Sequence, residues 1–137
     1  MTIDQDIRRI GEGAKAAASA ARKASTADKN TALGLIAKAI KASAESLLRA
    51  NAQDLDRAQA AGLDAPSLDR LTLTNDGIVV MSEGLLQIQT LQDPVGQISQ
   101  MSVRPNGLEI GKMRTPIGVI GIIYESRPNV TIDAAGL

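Results

Sequence analysis

Cysteine and histidine are absent from the 137-residue sequence, and Tyr124 is its only aromatic residue. These residues therefore provide no disulfide, no thiolate nucleophile, no imidazole base and no common zinc site. A core without Phe or Trp has to be built from Ala, Leu, Ile and Val, which favours closely packed helices over a β-sandwich. The absence of cysteine is consistent with a cytoplasmic protein.

Charge of one sign and long apolar runs are also missing. Lys plus Arg and Asp plus Glu number 15 each, so there is no basic field to hold a nucleic-acid backbone. The longest apolar run, 117–123, is far shorter than the ~20 residues that a membrane helix needs. Asp4 and Asp6 lie where a signal peptide would be basic and then apolar. We predict a soluble, cytoplasmic protein that binds neither nucleic acid nor membranes.

Residues 1–92 carry the start signals of several helices. Thr2 with Gln5 has the spacing of a capping box, and Ser25 with Asp28 repeats this signal. An apolar stripe follows each start at helical intervals. Residues 51–61 either continue the second helix or begin another, and Gly62 is placed to end it, because glycine adopts a positive φ without cost.

Two more helical segments complete this region. Pro66 opens a turn or short helix that runs to Leu71, and Thr74 is placed to cap a longer helix. Asp93-Pro94 ends the longer one, because the residue before a proline is pushed out of the α region. Its apolar face consists of Ile78, Met81, Leu85 and Ile88. The simplest interpretation of these faces is that they pack together and do nothing more.

A β-hairpin is predicted over 98–114. Asn106-Gly107 separates two extended, partly alternating segments, and both residues tolerate the positive φ of a type I′ turn. The hairpin is either purely structural or a contact with another sheet, including one in another subunit, because a two-stranded ribbon is marginally stable alone.

Residues 116–137 predict the first strand, loop and helix start of a parallel α/β sheet. Residues 117–123 are apolar on both faces and rich in β-branched side chains, as in a strand covered by helices on both sides. A polar loop follows, and Pro128 is placed at the first turn of a helix. We expect this domain to be incomplete within the 137 residues.

The loop between this strand and helix is the candidate site. Arg127 would offer a planar, permanently charged donor to a phosphate or carboxylate at the positive end of the helix. Ser126 and Asn129 would add neutral hydrogen-bond donors, which also suit a developing oxyanion. Alternatively, Ser126 or Asn129 only caps the helix, and Arg127 only pairs with Glu125 or Asp133.

Two other features of this region carry weaker indications. Gly118 and Gly121 do not form the G-x-G-x-x-G pattern of dinucleotide-binding loops, and glycine in a buried strand more often marks the close approach of another backbone. The simplest interpretation of Tyr124 is that it closes the strand end, with its hydroxyl in water.

The stretch MRTPIGVIGIIYESRPNVTIDAAGL, residues 113–137, closely resembles the gamma-glutamyl phosphate reductase family of the aldehyde dehydrogenase superfamily. Other segments resemble the same family in the same order: ANAQDLDRAQAAGL (50–63), LDRLTLT (68–74), DPVG (93–96) and RPNGLEI (104–110). The resemblance covers nearly the whole chain, and YESRPN is its most specific motif.

This resemblance implies an oxidoreductase of proline, and hence amino-acid, biosynthesis. In the family, L-glutamate 5-phosphate is reduced with NADPH to L-glutamate 5-semialdehyde and phosphate, through a cysteine thioester. The family protein is roughly three times as long as this chain, in keeping with two domains. We therefore expect residues 1–137 to be the N-terminal part of a cofactor-binding domain and to be inactive alone, because the nucleophilic cysteine is absent.

The resemblance also implies roles for the loop residues. It makes Asn129 and Ser126 the candidates for the oxyanion hole, with Arg127 as a further alternative for that role. It also places Arg127 and Glu125 at the substrate and brings Ile123 and Tyr124 to the NADPH. The hairpin at 98–114 becomes a subunit contact in a homo-oligomer. No metal ligand is implied.

A hypothesis from another class remains: a non-catalytic helical module that binds or interacts with a partner. The missing nucleophile favours it. The segment 117–123 opposes it, because a strand with two apolar faces needs a sheet to bury it.

Overall fold

The computed structural model describes residues 2–125 and 127–137. Within them the elements run α1 (Ile3–Ala21), α2 (Thr26–Ala42), α3 (Ala44–Ala60), α4 (Ala65–Leu71), α5 (Asn75–Thr90), β1 (Ile98–Val103), β2 (Glu109–Met113) and α6 (Pro128–Gly136). The protein is thus mostly helical with one two-stranded antiparallel hairpin. Among the described residues, no helix is both long and apolar enough to cross a bilayer.

The chain divides into two compact units. The first consists of Met1–Thr26 with Gln92–Gly121, and the second of Ala27–Leu91 with Ile122–Leu137. The first unit therefore contains α1 and the hairpin, and the second contains α2 to α6.

The second unit holds the hydrophobic core. Its buried side chains come from α2 and α5, and Ile132 of α6 packs against them; the buried apolar set is Ala37, Ile40, Ile78, Met81 and Leu85. The predicted inward face of α5 is confirmed, with Ile88 partly buried at its edge. A methionine joins the expected Ala, Leu and Ile, because its flexible thioether fills irregular gaps.

The predicted helix ends are formed by local hydrogen bonds. Thr2 and Gln5 make the reciprocal capping box, at 3.4 Å from the Gln5 N–H to Thr2 Oγ1 and 3.0 Å from the Thr2 N–H to Gln5 Oε1. Thr74 Oγ1 accepts from the Gly77 N–H at 3.0 Å. Gly62, at φ +79°, ends α3 in a Schellman motif, with the Leu63 N–H donating to the Ala58 carbonyl.

The open question over residues 51–61 is settled by a break at Ser43, where φ is −95° and ψ is 8°. They belong to α3, which begins at Ala44 and is separate from α2. Asn51 on α3 is buried, and its side chain bonds to the backbone on both sides of the end of α4: Nδ2 donates to the Leu71 carbonyl and Oδ1 accepts from the Leu73 N–H, both at 2.8 Å.

In the first unit, the hairpin is formed where the sequence predicts it. β1 and β2 pair antiparallel, with Ile98 opposite Met113 and Val103 opposite Glu109. Between Ser99 and Ser102 the register shifts by one residue in a β-bulge, where Gln100 has a φ of +54°. Both strands are exposed along their whole length.

The predicted type I′ turn is wrong. The Gly107 N–H donates to the Arg104 carbonyl, and the Arg104 N–H donates to the Leu108 carbonyl, both at 2.8 Å. Gly107 has a φ of +82°, whereas Asn106 does not have a positive φ. Pro105 explains the difference: its ring holds φ near −65°, which starts an ordinary turn and leaves the left-handed position to the glycine of a three-residue loop.

The predicted strand at 117–123 is not formed within the described residues. Residues 114–125 lie outside helices and strands, and Gly118 has a φ of +106°. Their apolar side chains are exposed, up to 87% for Ile117 and all of Ile123. A strand needs the backbone groups of a neighbour, and the described residues contain no parallel strand for this segment to join.

Candidate functional site

The site predicted from sequence lies at the start of α6, in the second unit. Pro128 is the first helical residue, as expected, and Arg127 takes the N-cap position with an extended backbone, φ −139° and ψ 95°. No side chain caps this helix by a hydrogen bond, so the described structure does not support a capping role for Asn129. Ser126, the other candidate cap and oxyanion donor, lies outside the described residues.

The packing of α6 on α5 holds the helix start in place. Ile132 contacts the core, and Gly136 lies so close to α5 that an added Cβ would be 2.7 Å from Leu85 Cδ2 and 3.0 Å from Ile88 Cδ1. Leu85 is itself buried, so it has little room to move. The N-terminus of α6 is therefore anchored to the core by the far end of the same helix.

The candidate side chains around this helix start are all accessible. Arg127 and Asn129 are exposed, and so is Glu125 on the preceding segment. Arg127 forms no ion pair with Glu125 or Asp133 in the part of the chain that the structure describes. This leaves its guanidinium available to an anion beside the positive end of the helix.

The two predicted cofactor residues differ in their surroundings. The Ile123 side chain is fully exposed, whereas Tyr124 is about half exposed, at 46%. The Tyr124 hydroxyl lies 2.5 Å from Thr131 Oγ1, so it is not left to water alone as the sequence interpretation supposed. Thr131 was not predicted from the sequence, because no local sequence signal links Tyr124 to a residue within the following helix.

Metal chemistry has no support in the described part of the chain. Residues 2–125 and 127–137 contain no group of three or more His, Cys, Asp or Glu side chains placed to hold an ion. Among the described residues, the arrangement instead offers an anion one guanidinium without an ion pair, one exposed amide side chain and a helix N-terminus.

No protein family profile matches the chain. Its fold is that of the N-terminal part of a class of reductases, as two crystal structures show. One is gamma-glutamyl phosphate reductase from Thermotoga maritima, which is 38% identical with a TM-score of 0.87 over 92% of this chain. The other is gamma-glutamyl phosphate reductase from Saccharomyces cerevisiae, 31% identical with a TM-score of 0.88 over 99% of this chain.

The match covers 30% and 34% of those two proteins, so the chain spans about a third of their length. Fold and sequence together make it similar to the N-terminal third of gamma-glutamyl phosphate reductases. The resemblance seen in the sequence is confirmed. The alternative of a non-catalytic binding module is not favoured by these similarities.

Proposed function

We propose that this chain is the N-terminal part of a gamma-glutamyl phosphate reductase, an NADPH-dependent oxidoreductase of proline biosynthesis in the cytoplasm. The observation that carries the proposal is the match to two such reductases over 92% and 99% of this chain. A match over a small part of the chain would support only a shared fold, whereas these matches extend over nearly all of it.

The proposed reaction converts L-glutamate 5-phosphate to L-glutamate 5-semialdehyde. A thiolate displaces phosphate from the acyl carbon, and a hydride then reduces the resulting thioester to the aldehyde and releases the thiolate. NADPH supplies that hydride when it is bound. The thiol comes from outside these 137 residues, which contain no cysteine, so we expect the 137 residues alone to be inactive.

We propose the following roles for the residues at the start of α6. Arg127, which lies at the N-cap of α6 and forms no ion pair with another described residue, is proposed to bind the phosphoryl group of the substrate. Asn129 is proposed to donate to the developing oxyanion, with Ser126 as the second candidate. Glu125 is the second proposed substrate contact, since its exposed carboxylate could accept from the α-amino group.

The residues present also suit the edge of a nicotinamide site. The half-exposed ring of Tyr124 and the fully exposed side chain of Ile123 provide apolar surface directly before the substrate loop. We propose that they contact the nicotinamide and its ribose, so that the cofactor lies beside the bound substrate.

The exposed segment 117–123 and the hairpin are assigned to contacts beyond these 137 residues. We propose that 117–123 becomes the first strand of a parallel, Rossmann-like sheet of the aldehyde dehydrogenase type when neighbouring strands supply its hydrogen bonds. The hairpin β1–β2, exposed on both faces, is proposed to join a sheet of another subunit in a homo-oligomer.

Arg127→Ala tests the phosphate-binding role in an active enzyme that contains this chain. Loss of a charged hydrogen bond of ~1.5–3 kcal/mol should lower kcat/KM for L-glutamate 5-phosphate by at least about tenfold. Arg49→Ala is the matched control, because Arg49 is an exposed arginine on α3 that pairs with Glu45. An unchanged kcat/KM in Arg127→Ala would make Arg127 a surface residue. A wild-type enzyme without reductase activity would reject the proposed function itself.

A further inference from the structure

The contact between Tyr124 and Thr131 bridges the two sides of the candidate site. Tyr124 precedes the loop, and Thr131 is the fourth residue of α6, one turn beyond its start. Their oxygen atoms are 2.5 Å apart, at the short end of the range for hydroxyl hydrogen bonds. The bond therefore links Tyr124, which precedes α6, to the first turns of that helix.

The residues proposed to contact the substrate all lie between Tyr124 and Thr131 in the sequence. Glu125, Arg127 and Asn129 are exposed. Within the described residues, Arg127 makes no side-chain capping bond at the helix start and no ion pair with Glu125 or Asp133. A segment without such restraints samples many conformations. The fraction of molecules in the conformation that binds substrate is then small.

Thr131, one of the two bonded residues, is held rigidly. Thr131 belongs to α6. In this helix Ile132 packs against the hydrophobic core, and Gly136 lies close to α5. The hydrogen bond between Thr131 and Tyr124 thus fixes the Tyr124 hydroxyl relative to the core. Tyr124 is suited to the other end, since a phenol spans the distance with only two rotatable bonds.

We propose that Tyr124 and Thr131 are positioning residues for the phosphate-binding site: their hydroxyl–hydroxyl bond holds Arg127 and Asn129 where they can contact the substrate. This inference rests on the proposed function of the same loop. It gives the Tyr124 hydroxyl a role separate from that of its ring, which is proposed to contact the cofactor.

The kinetic test uses an active enzyme that contains this chain, run in reverse with L-glutamate 5-semialdehyde, NADP⁺ and inorganic phosphate. Tyr124→Phe and Thr131→Val should each raise the KM for phosphate about three- to tenfold, the loss expected for one hydrogen bond. The KM for NADP⁺ should stay within about twofold, because Phe keeps the ring. The double variant should be no worse than either single variant, since both remove the same bond.

Thr131→Ser is the conservative control, because it keeps the hydroxyl and should retain the wild-type KM for phosphate. Additive losses in the double variant would overturn the proposal, and so would a Thr131→Ser enzyme as impaired as Thr131→Val. A rise in the KM for NADP⁺ alone would likewise overturn it, since the hydroxyl would then serve the cofactor.

A second measurement does not depend on the reaction. Backbone hydrogen exchange in the peptide covering 125–130 should be faster in Tyr124→Phe than in wild type, while exchange in α5 stays the same. If the wild-type enzyme lacks the phosphate-dependent reaction, the proposed function fails and this exchange still tests the bond. Unchanged exchange in 125–130 would show that the bond does not order the loop.

Discussion

At the scale of single residues, Asn51 shows how a buried amide can hold two segments together. Its side chain is 7% exposed and uses both its donor and its acceptor, on the Leu71 carbonyl and the Leu73 N–H. Leu71 is the last residue of α4 and Leu73 lies between α4 and α5, so neither backbone group has a partner within a helix. The Asn51 side chain therefore provides the hydrogen bonds that a helix does not supply at these two positions.

Asn51→Ala should therefore lower the free energy of unfolding by about 2–3 kcal/mol, the sum of two lost hydrogen bonds and the cost of leaving their partners unsatisfied. Urea denaturation followed by circular dichroism measures the change. Gln53→Ala, at an exposed position on the same helix, is the control and should stay within about 0.5 kcal/mol. Equal stability of the two variants would mean that water replaces the Asn51 amide.

At the scale of elements, the caps determine where these helices begin. The short helix α4 depends on Asp64, whose Oδ1 accepts from the Ser67 N–H at 3.0 Å. Hydrogen bonds from the Ser67 side chain and then from its backbone N–H, with Arg70 nearby, hold the pKa of Asp64 below its ordinary value of 3.8. These bonds favour the charged carboxylate in the folded state.

The start of α4 should consequently weaken in acid. A lowered pKa in the folded state means that the stabilising contribution of Asp64 is complete above pH 3.8, where the unfolded carboxyl is also ionised. The contribution is lost as the pH falls through the lower, folded pKa. An NMR titration of the Ser67 amide should show a midpoint below 3.8, and Asp64→Asn should abolish this titration while keeping a side-chain cap. A midpoint at or above 3.8 would contradict the assignment.

At the scale of the whole molecule, the two units differ in what holds each of them together. The second unit has a buried core, whereas no described residue of the first unit is buried, and the large apolar side chains of α1 and the hairpin are exposed. Burial of apolar surface is the main source of folding free energy, so the first unit lacks that source within these residues. Its exposed apolar surface agrees with the contacts proposed for the hairpin.

Hydrogen exchange should separate the two units in the 137-residue protein. Amides in α2 and α5 should be the most protected, because their helices form the core. Amides of α1 and of the hairpin strands should exchange at least about tenfold faster, near the rate of local fraying. Hairpin protection equal to that of α5 would show that the first unit is stabilised by contacts within the 137 residues themselves.

Much of this architecture is predictable from the sequence because its signals are local. Thr2 with Gln5, Gly62 and Thr74 act through hydrogen bonds to residues only a few positions away, and Asn106-Gly107 marks a hairpin whose strands are neighbours in sequence. The periodic apolar residues of α5 also specify which face becomes buried. The motif YESRPN placed the candidate site at the start of α6, and the structure puts a helix start there.

The order of helices, the hairpin and the loop that carries Arg127 are predictable from the sequence, because each depends on interactions within a few residues. Three features required the three-dimensional structure: the pairing of Asn51 with Leu71 and Leu73, the bond between Tyr124 and Thr131, and the coil at 117–123. The first joins separate segments of the chain, and the second joins side chains seven positions apart that no local sequence signal links. Whether 117–123 forms a strand depends on a neighbouring strand that supplies its hydrogen bonds. The apolar pattern indicates this need but does not provide the neighbour.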